Sequence, residues 1–182
     1  MKKLILMALV LFVSACATYP SPEVENNAEF YYNRGIDRFE RGKYDKAISD
    51  YTKAIEINPN FAKAYYNRGN AYRRKSQYDQ AISDYTKAIE INSGFAEPYF
   101  YRGHVYSHKD QNDRAISDFT KAIEINPSYA WAYLKRGVTY LREGQRAKAC
   151  KDFKKAQRLD SPIEPSVFEG LRDICTPSGR QK

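Results

Sequence analysis

Histidine and cysteine are scarce in this chain of 182 residues, with two and three respectively, and the shortage excludes most metal and nucleophile chemistry. His104 and His108 are four apart on one helix face, the spacing two metal ligands use. Yet the segment between them lacks a glutamate, and no third ligand lies nearby, so the pair reads as ordinary surface residues. No glycine-rich phosphate loop, nucleophile elbow or paired-carboxylate arrangement occurs, which leaves an expectation of no enzymatic activity and no cofactor. Long apolar runs are also missing, with one exception near the start. What the chain has in excess is positive charge, +8 overall, and tyrosine, 16 residues. With 42% hydrophobic residues it can bury the core of one domain, so disorder along most of its length is excluded. A basic balance alone admits acidic proteins, anionic lipid or nucleic acid and selects none of them.

The exception is the run from Leu4 to Val13, preceded by Lys2 and Lys3 and followed by Ser14, Ala15 and Cys16. Those are the parts of a secretory leader. In a helix the run rises only about 15 Å, half the thickness of a hydrocarbon core, so it reads as a leader segment and not as a permanent span. Val13-Ser14-Ala15-Cys16 resembles the lipobox of bacterial lipoproteins. The resemblance implies a signal peptide over 1–15 and a diacylglycerol thioether on Cys16, whose thiolate is a strong nucleophile. Ala17 stands where an aspartate would mark inner-membrane retention, so the implied address is the outer membrane, facing the periplasm. Paired acyl chains hold a protein on a membrane where one chain does not. Residues 16–27, with two prolines and no helical period, read as a tether, and residues 177–182 as an unstructured tail.

Internal repetition is the strongest signal. AISDYTKAIEIN occurs at 47–58 and 81–92, and AISDFTKAIEIN at 115–126, offset by 34 residues each time. The same offset relates Gly35, Gly69, Gly103 and Gly137, and the alanines Ala47, Ala81, Ala115 and Ala149. Four units follow, over 28–61, 62–95, 96–129 and 130–163. Within each, apolar residues recur at helical spacing in two stretches, as in Ala64, Tyr65, Tyr72 and then Ala81, Ile82, Tyr85, Ala88, so each unit is a pair of amphipathic helices. Gly69 and Ala81 are expected where the two helices cross and large side chains would hold them apart. Tyr65, Tyr72 and Tyr85 are expected to fill the space around them with their phenol tips free to reach solvent or a partner. Asn58-Pro59 and Asn126-Pro127 close second helices, whereas Ser93-Gly94 in the second unit is expected to loosen that junction.

This pattern closely resembles the tetratricopeptide repeat family over residues 28–161, with a departure at Arg38, where the family has tyrosine. The resemblance implies an all-α, right-handed α-solenoid of four helix pairs. A terminal repeat needs its apolar face covered, and residues 164–176, with Val167, Phe168, Leu171 and Cys175 at helical spacing, are expected to form a capping helix. Once Cys16 is lipidated, Cys150 and Cys175 remain in an oxidising compartment. Either they pair as a disulfide, or both are small buried apolar residues.

By the same resemblance the first helix of each pair lines a concave groove, whose exposed positions are Tyr32, Ile36 and Phe39; Lys63, Tyr66, Asn70, Arg73 and Arg74; Phe100, His104 and His108; and Trp131, Leu134, Val138, Leu141 and Arg142. Such a groove, aromatic at both ends and basic between, suits a peptide carrying acidic residues. The carboxylate clamp of chaperone-binding members is not reproduced, because Tyr66 and Trp131 stand where it has lysines. The expected function is therefore a membrane-anchored scaffold or adaptor in the bacterial cell envelope that binds a partner protein or peptide. The alternative is an assembly factor or pilotin for a secretion or pilus machine. Export disfavours nucleic acid as a partner, and oligomeric state stays open.

Overall fold

Among the described residues, eight helices of 13 or 14 residues follow one another in four antiparallel pairs, and a short ninth closes the stack. The computed structural model describes residues 27–159 and 165–175. Cys16, the leader over 1–15, most of the tether and the tail 177–182 lie outside the described residues. The pairs are α1 (Ala28–Glu40) with α2 (Tyr44–Ile57), α3 (Ala62–Arg74) with α4 (Tyr78–Ile91), α5 (Ala96–His108) with α6 (Asn112–Ile125), and α7 (Ala130–Arg142) with α8 (Arg146–Arg158). Helix α9 (Pro165–Arg172) runs into a 3-10 turn, Asp173–Cys175. Asn27, placed in the tether by sequence reasoning, instead caps α1: its Oδ1 accepts from the backbone N–H groups of Glu29 and Phe30 at 2.9 and 3.2 Å.

Close approach within a pair depends on the periodic small residues. Ala47, Ala81, Ala115 and Ala149 are fully buried, and each repeat's glycine faces the aromatic ring of its own second helix. A methyl group on Gly69 would sit 2.8 Å from the Tyr85 ring, and one on Gly137 would sit 2.6 Å from the Phe153 ring. Tyr85 is fully buried and its hydroxyl donates to Asn70 Oδ1 at 2.8 Å. Its phenol tip is therefore not free as expected, because a buried hydroxyl must find its partner inside the fold. Burial also pushes its pKa up.

Junctions between repeats are alike, including the one expected to be loose. Asn58, Asn92 and Asn126 each accept a backbone hydrogen bond two residues on, at 3.1, 3.1 and 3.0 Å. Ser93 in place of proline leaves that turn unchanged, because the asparagine side chain and not the proline ring holds it.

A second periodic device joins one repeat to the next. Arg68, Arg102 and Arg136 each hold the buried aspartate of their own pair, Asp84, Asp118 and Asp152, through two bonds of 2.8–2.9 Å. The third arm of each guanidinium reaches back to Thr52, Thr86 or Thr120 of the preceding repeat at 2.9–3.0 Å. The fork geometry of arginine allows one side chain to bridge three helices. In the first repeat Arg34 and Arg38 both bind Asp50, at 2.6 and 2.7 Å. This second guanidinium accounts for Arg38 in place of tyrosine.

The far end is closed twice. Phe168 of α9 is buried against Leu134, Phe153 and Ala156, and burying such a ring contributes about 1.5–3 kcal/mol. Cys150 of α8 and Cys175 are joined by a disulfide across Cα atoms 5.4 Å apart.

Candidate functional site: the inner wall of the stack

First helices pack on successive first helices, α1 on α3, α3 on α5 and α5 on α7, whereas α2, α4, α6 and α8 do not pack closely on one another. The first helices are therefore the inner layer around which the stack curves, and their outward positions form its inner wall.

The wall is less oily than sequence reasoning expects. Tyr32 and Tyr66 are half-buried, while Phe100 and Leu134, expected to be exposed, are buried at 6% and 4%. The reason lies in the residue preceding each following first helix. Phe61 lies over Tyr32 at 4.8 Å, Phe95 over Tyr66 at 5.1 Å and Tyr129 over Phe100 at 4.8 Å, so the chain covers these rings with its own. Leu134 is taken up by the terminal core. Asn70 is buried too, held by the Tyr85 hydroxyl. Ile36, Phe39, Val138 and Leu141 are half-buried, and Trp131 is the one exposed large hydrophobic residue among those described, at 36%.

What remains open is cationic. Lys63, Arg74, His108 and Arg142 are exposed, and Arg73, His104 and Lys135 half-buried. Arg73 lies over the Tyr101 ring at 5.0 Å, and Arg142 donates to Ser107 Oγ and its carbonyl at 3.0 and 3.2 Å. His104 and His108 have ring centres 4.7 Å apart, and His108 stacks on Tyr78 at 6.1 Å. Burial first, and then the charges of Lys135, His108, Arg73 and Arg142, lower the His104 pKa to about 4. The imidazole is therefore neutral at pH 7. The Lys135 ammonium is shifted down by burial and by Arg142. Two polar atoms in this cluster, Arg73 Nε and His104 Nδ1, are buried with no hydrogen-bond partner.

The cluster thus presents a half-desolvated patch of positive potential, in which the open ends of Lys63, Arg74 and Arg142 are the groups an anion can reach. Sequence reasoning missed Tyr101 and Lys135, although both occupy the same place in successive repeats, 34 residues apart. No group of three or more His, Cys, Asp or Glu side chains among the described residues is placed to hold a metal, and no described helix is long and apolar enough to cross a membrane.

Family models described as TPR repeat match residues 37–76 and 108–144, and models described as Tetratricopeptide repeat match 62–95, 84–117 and 132–162. No curated protein matches the chain. Among solved structures it resembles that of MamA, with 32% identity and a TM-score of 0.71 over 74% of this chain and 79% of that one. It resembles MamA from Desulfovibrio magneticus RS-1 in fold, at 24% identity and a TM-score of 0.68 over 75% and 80% of the two chains. The first TPR domain of Spaghetti (RPAP3), solved bound to the HSP90 peptide SRMEEVD, is similar at 26% identity and a TM-score of 0.64, over 66% and 95%. With its 34-residue period, its paired helices and these matches, the chain belongs to the tetratricopeptide repeat family.

Proposed function

We propose that this protein is a non-catalytic scaffold of the bacterial cell envelope, held to a membrane through lipid on Cys16, whose inner wall captures an acidic segment of a partner protein. The observation that carries the binding role is the cluster around His104. Arg73 of α3, Lys135 and Arg142 of α7 and the two imidazoles of α5 converge on one patch. Trp131 offers an exposed ring on the same helix as Lys135 and Arg142, the kind of anchor that dominates binding energy at interfaces. The neighbour solved with a peptide ending in Glu-Glu-Val-Asp supports a peptide as the ligand type. The anchoring reading rests on the lipobox-like segment alone.

A random-peptide display selection against the chain tests the binding role. Enrichment of Asp and Glu is expected, lost when the bait carries Arg73→Gln and Lys135→Gln. Selected peptides without acidic bias, or equal recovery by both baits, would refute it. Anchoring is tested by metabolic labelling with a palmitate analogue, expected for the native chain and absent for Cys16→Ser.

A further inference from the structure

The outer surface carries a second cationic feature, and it is confined to the last repeat. Helix α8 has six basic residues and one acid, whereas α2, α4 and α6 each have three acids and at most two basic residues. Two clefts make the contrast local. One, of about 400 Å³, is lined by Tyr99 and Arg102 of α5 with Ser117, Thr120, Lys121 and Glu124 of α6 among others. The other, of about 740 Å³, lies one repeat further on and is lined at the same places by Tyr133, Arg136, Lys151, Lys154, Lys155 and Arg158. Serine, threonine and glutamate have become lysine, lysine and arginine.

In the smaller cleft Lys121 is neutralised by Glu124 at 3.0 Å, as Lys87 is by Glu90 and Lys53 by Glu56 in earlier repeats. Lys155 faces Arg158 instead. Among the described residues Lys148, Lys151, Lys154, Lys155 and Arg158 have no carboxylate within ion-pair distance, and the one acid in the cleft, Asp152, is taken by Arg136. Ile123, Tyr133 and Tyr140 also line the cleft, with Arg136 over both tyrosine rings at 5.6 and 5.9 Å and Lys148 over Tyr140 at 5.3 Å. Like charges held together with no counterion repel one another, so an anion entering the cleft relieves repulsion as well as making contacts.

Size and charge together restrict the anion. A cleft of 740 Å³ falls within the range of small-molecule sites, about 300–1,000 Å³. Offsetting five cations with carboxylates takes about five acidic residues, with the charge spread along a peptide. Phosphate monoesters carry about −1.5 to −2 each at pH 7, so two or three suffice. We propose that the cleft between α6, α7 and α8 binds a ligand bearing two or more phosphate groups on a ring or apolar body, either a soluble phosphoester or a lipid headgroup. The ring or apolar part lies against Ile123 and the edges of Tyr133 and Tyr140, and the phosphates meet Lys151, Lys154, Lys155 and Arg158. This site is separate from the inner wall and stands whether or not that wall binds peptides.

The test uses the full chain and three probes: inositol hexakisphosphate, phosphatidylcholine vesicles with and without a phosphatidylinositol bisphosphate, and hexaglutamate. The variant Lys151→Ser, Lys154→Thr, Arg158→Glu introduces the side chains that the third repeat already carries in this register, so the helix is expected to stay folded, checked by circular dichroism. The wild type is expected to bind inositol hexakisphosphate or the phosphatidylinositol bisphosphate vesicles at least about tenfold more tightly than hexaglutamate, and the triple variant to lose at least about tenfold. Preference for the soluble probe identifies a free phosphoester, and preference for the vesicles a headgroup. Arg73→Gln with Lys135→Gln is expected to leave this binding intact. Absence of binding to both phosphate probes, equal affinity for hexaglutamate, undiminished binding by the triple variant, or loss in the inner-wall variant would each overturn the proposal.

Discussion

The seams at the third and fourth repeats share an interior and differ at the rim. In both, an arginine binds a buried aspartate through two bonds and a threonine of the previous repeat through a third, beside a tyrosine at the same place. Outside that shared frame, Ser117, Thr120 and Glu124 are answered by Lys151, Lys154 and Arg158. The lesson is that the invariant part holds repeats in register, while the part free to vary carries whatever distinguishes one repeat from another. The inner wall shows the same division, with rings covered by the chain itself and cations left open.

The largest expected effect bears on the shared frame. Asp118→Ala and Asp152→Ala each leave a mostly buried guanidinium without its partner and are expected to cost about 3–5 kcal/mol in urea denaturation. A loss at one seam alone would show that the two frames are not equivalent. Next comes the feature only the last repeat has. Reducing the Cys150–Cys175 bridge, which closes a loop of 25 residues, is expected to cost about 3 kcal/mol. Amide exchange should accelerate in α8 and α9 and remain slow in α5 and α6.

Smaller still are the glycines. Gly137→Ala places a methyl 2.6 Å from Phe153, whereas Gly103→Ala meets nothing nearer than 3.1 Å. Overpacking of this kind costs about 1–3 kcal/mol, and Gly137→Ala is expected to lower Tm more than Gly103→Ala.

The smallest effect separates the two repeats by titration. His104 occupies in α5 the place Val138 holds in α7, and its folded pKa is depressed to about 4. In the unfolded chain the imidazole takes a proton near its ordinary value of about 6.5. The unfolded state therefore binds more protons between these values, so stability is complete above pH 6.5 and declines as pH falls toward 4. His104→Val is expected to flatten the pH dependence of Tm in that window, leaving the part due to carboxylates. An unchanged slope would mean that the imidazole is not desolvated.

Much of this architecture was legible in the sequence because near-identical segments recur at one spacing, and a solenoid adds identical contacts at each step. The crossing of Gly69 over its partner helix follows from residue size alone. The burial of Phe100 and Leu134 was not legible, because it depends on Tyr129 folding back and on where the terminal core lies. The arginine staples were visible as a period, Arg34, Arg68, Arg102 and Arg136. Their role was not, since a charged residue at regular spacing on a helix reads as a solvated face until its buried partner is seen. Lys135 and Tyr101 escaped notice for a similar reason, being recognisable as wall residues only once α3, α5 and α7 lie side by side.

Trp131 is the only tryptophan in the chain and an exposed ring on α7, the helix that carries Lys135 and Arg142, so its fluorescence is the probe for an acidic peptide binding beside them. Titration with a display-selected, Asp- and Glu-rich peptide is expected to give a saturable change in wild type, weakened at least about tenfold by Arg73→Gln with Lys135→Gln. No change on titration, or identical curves for the two proteins, would contradict the account.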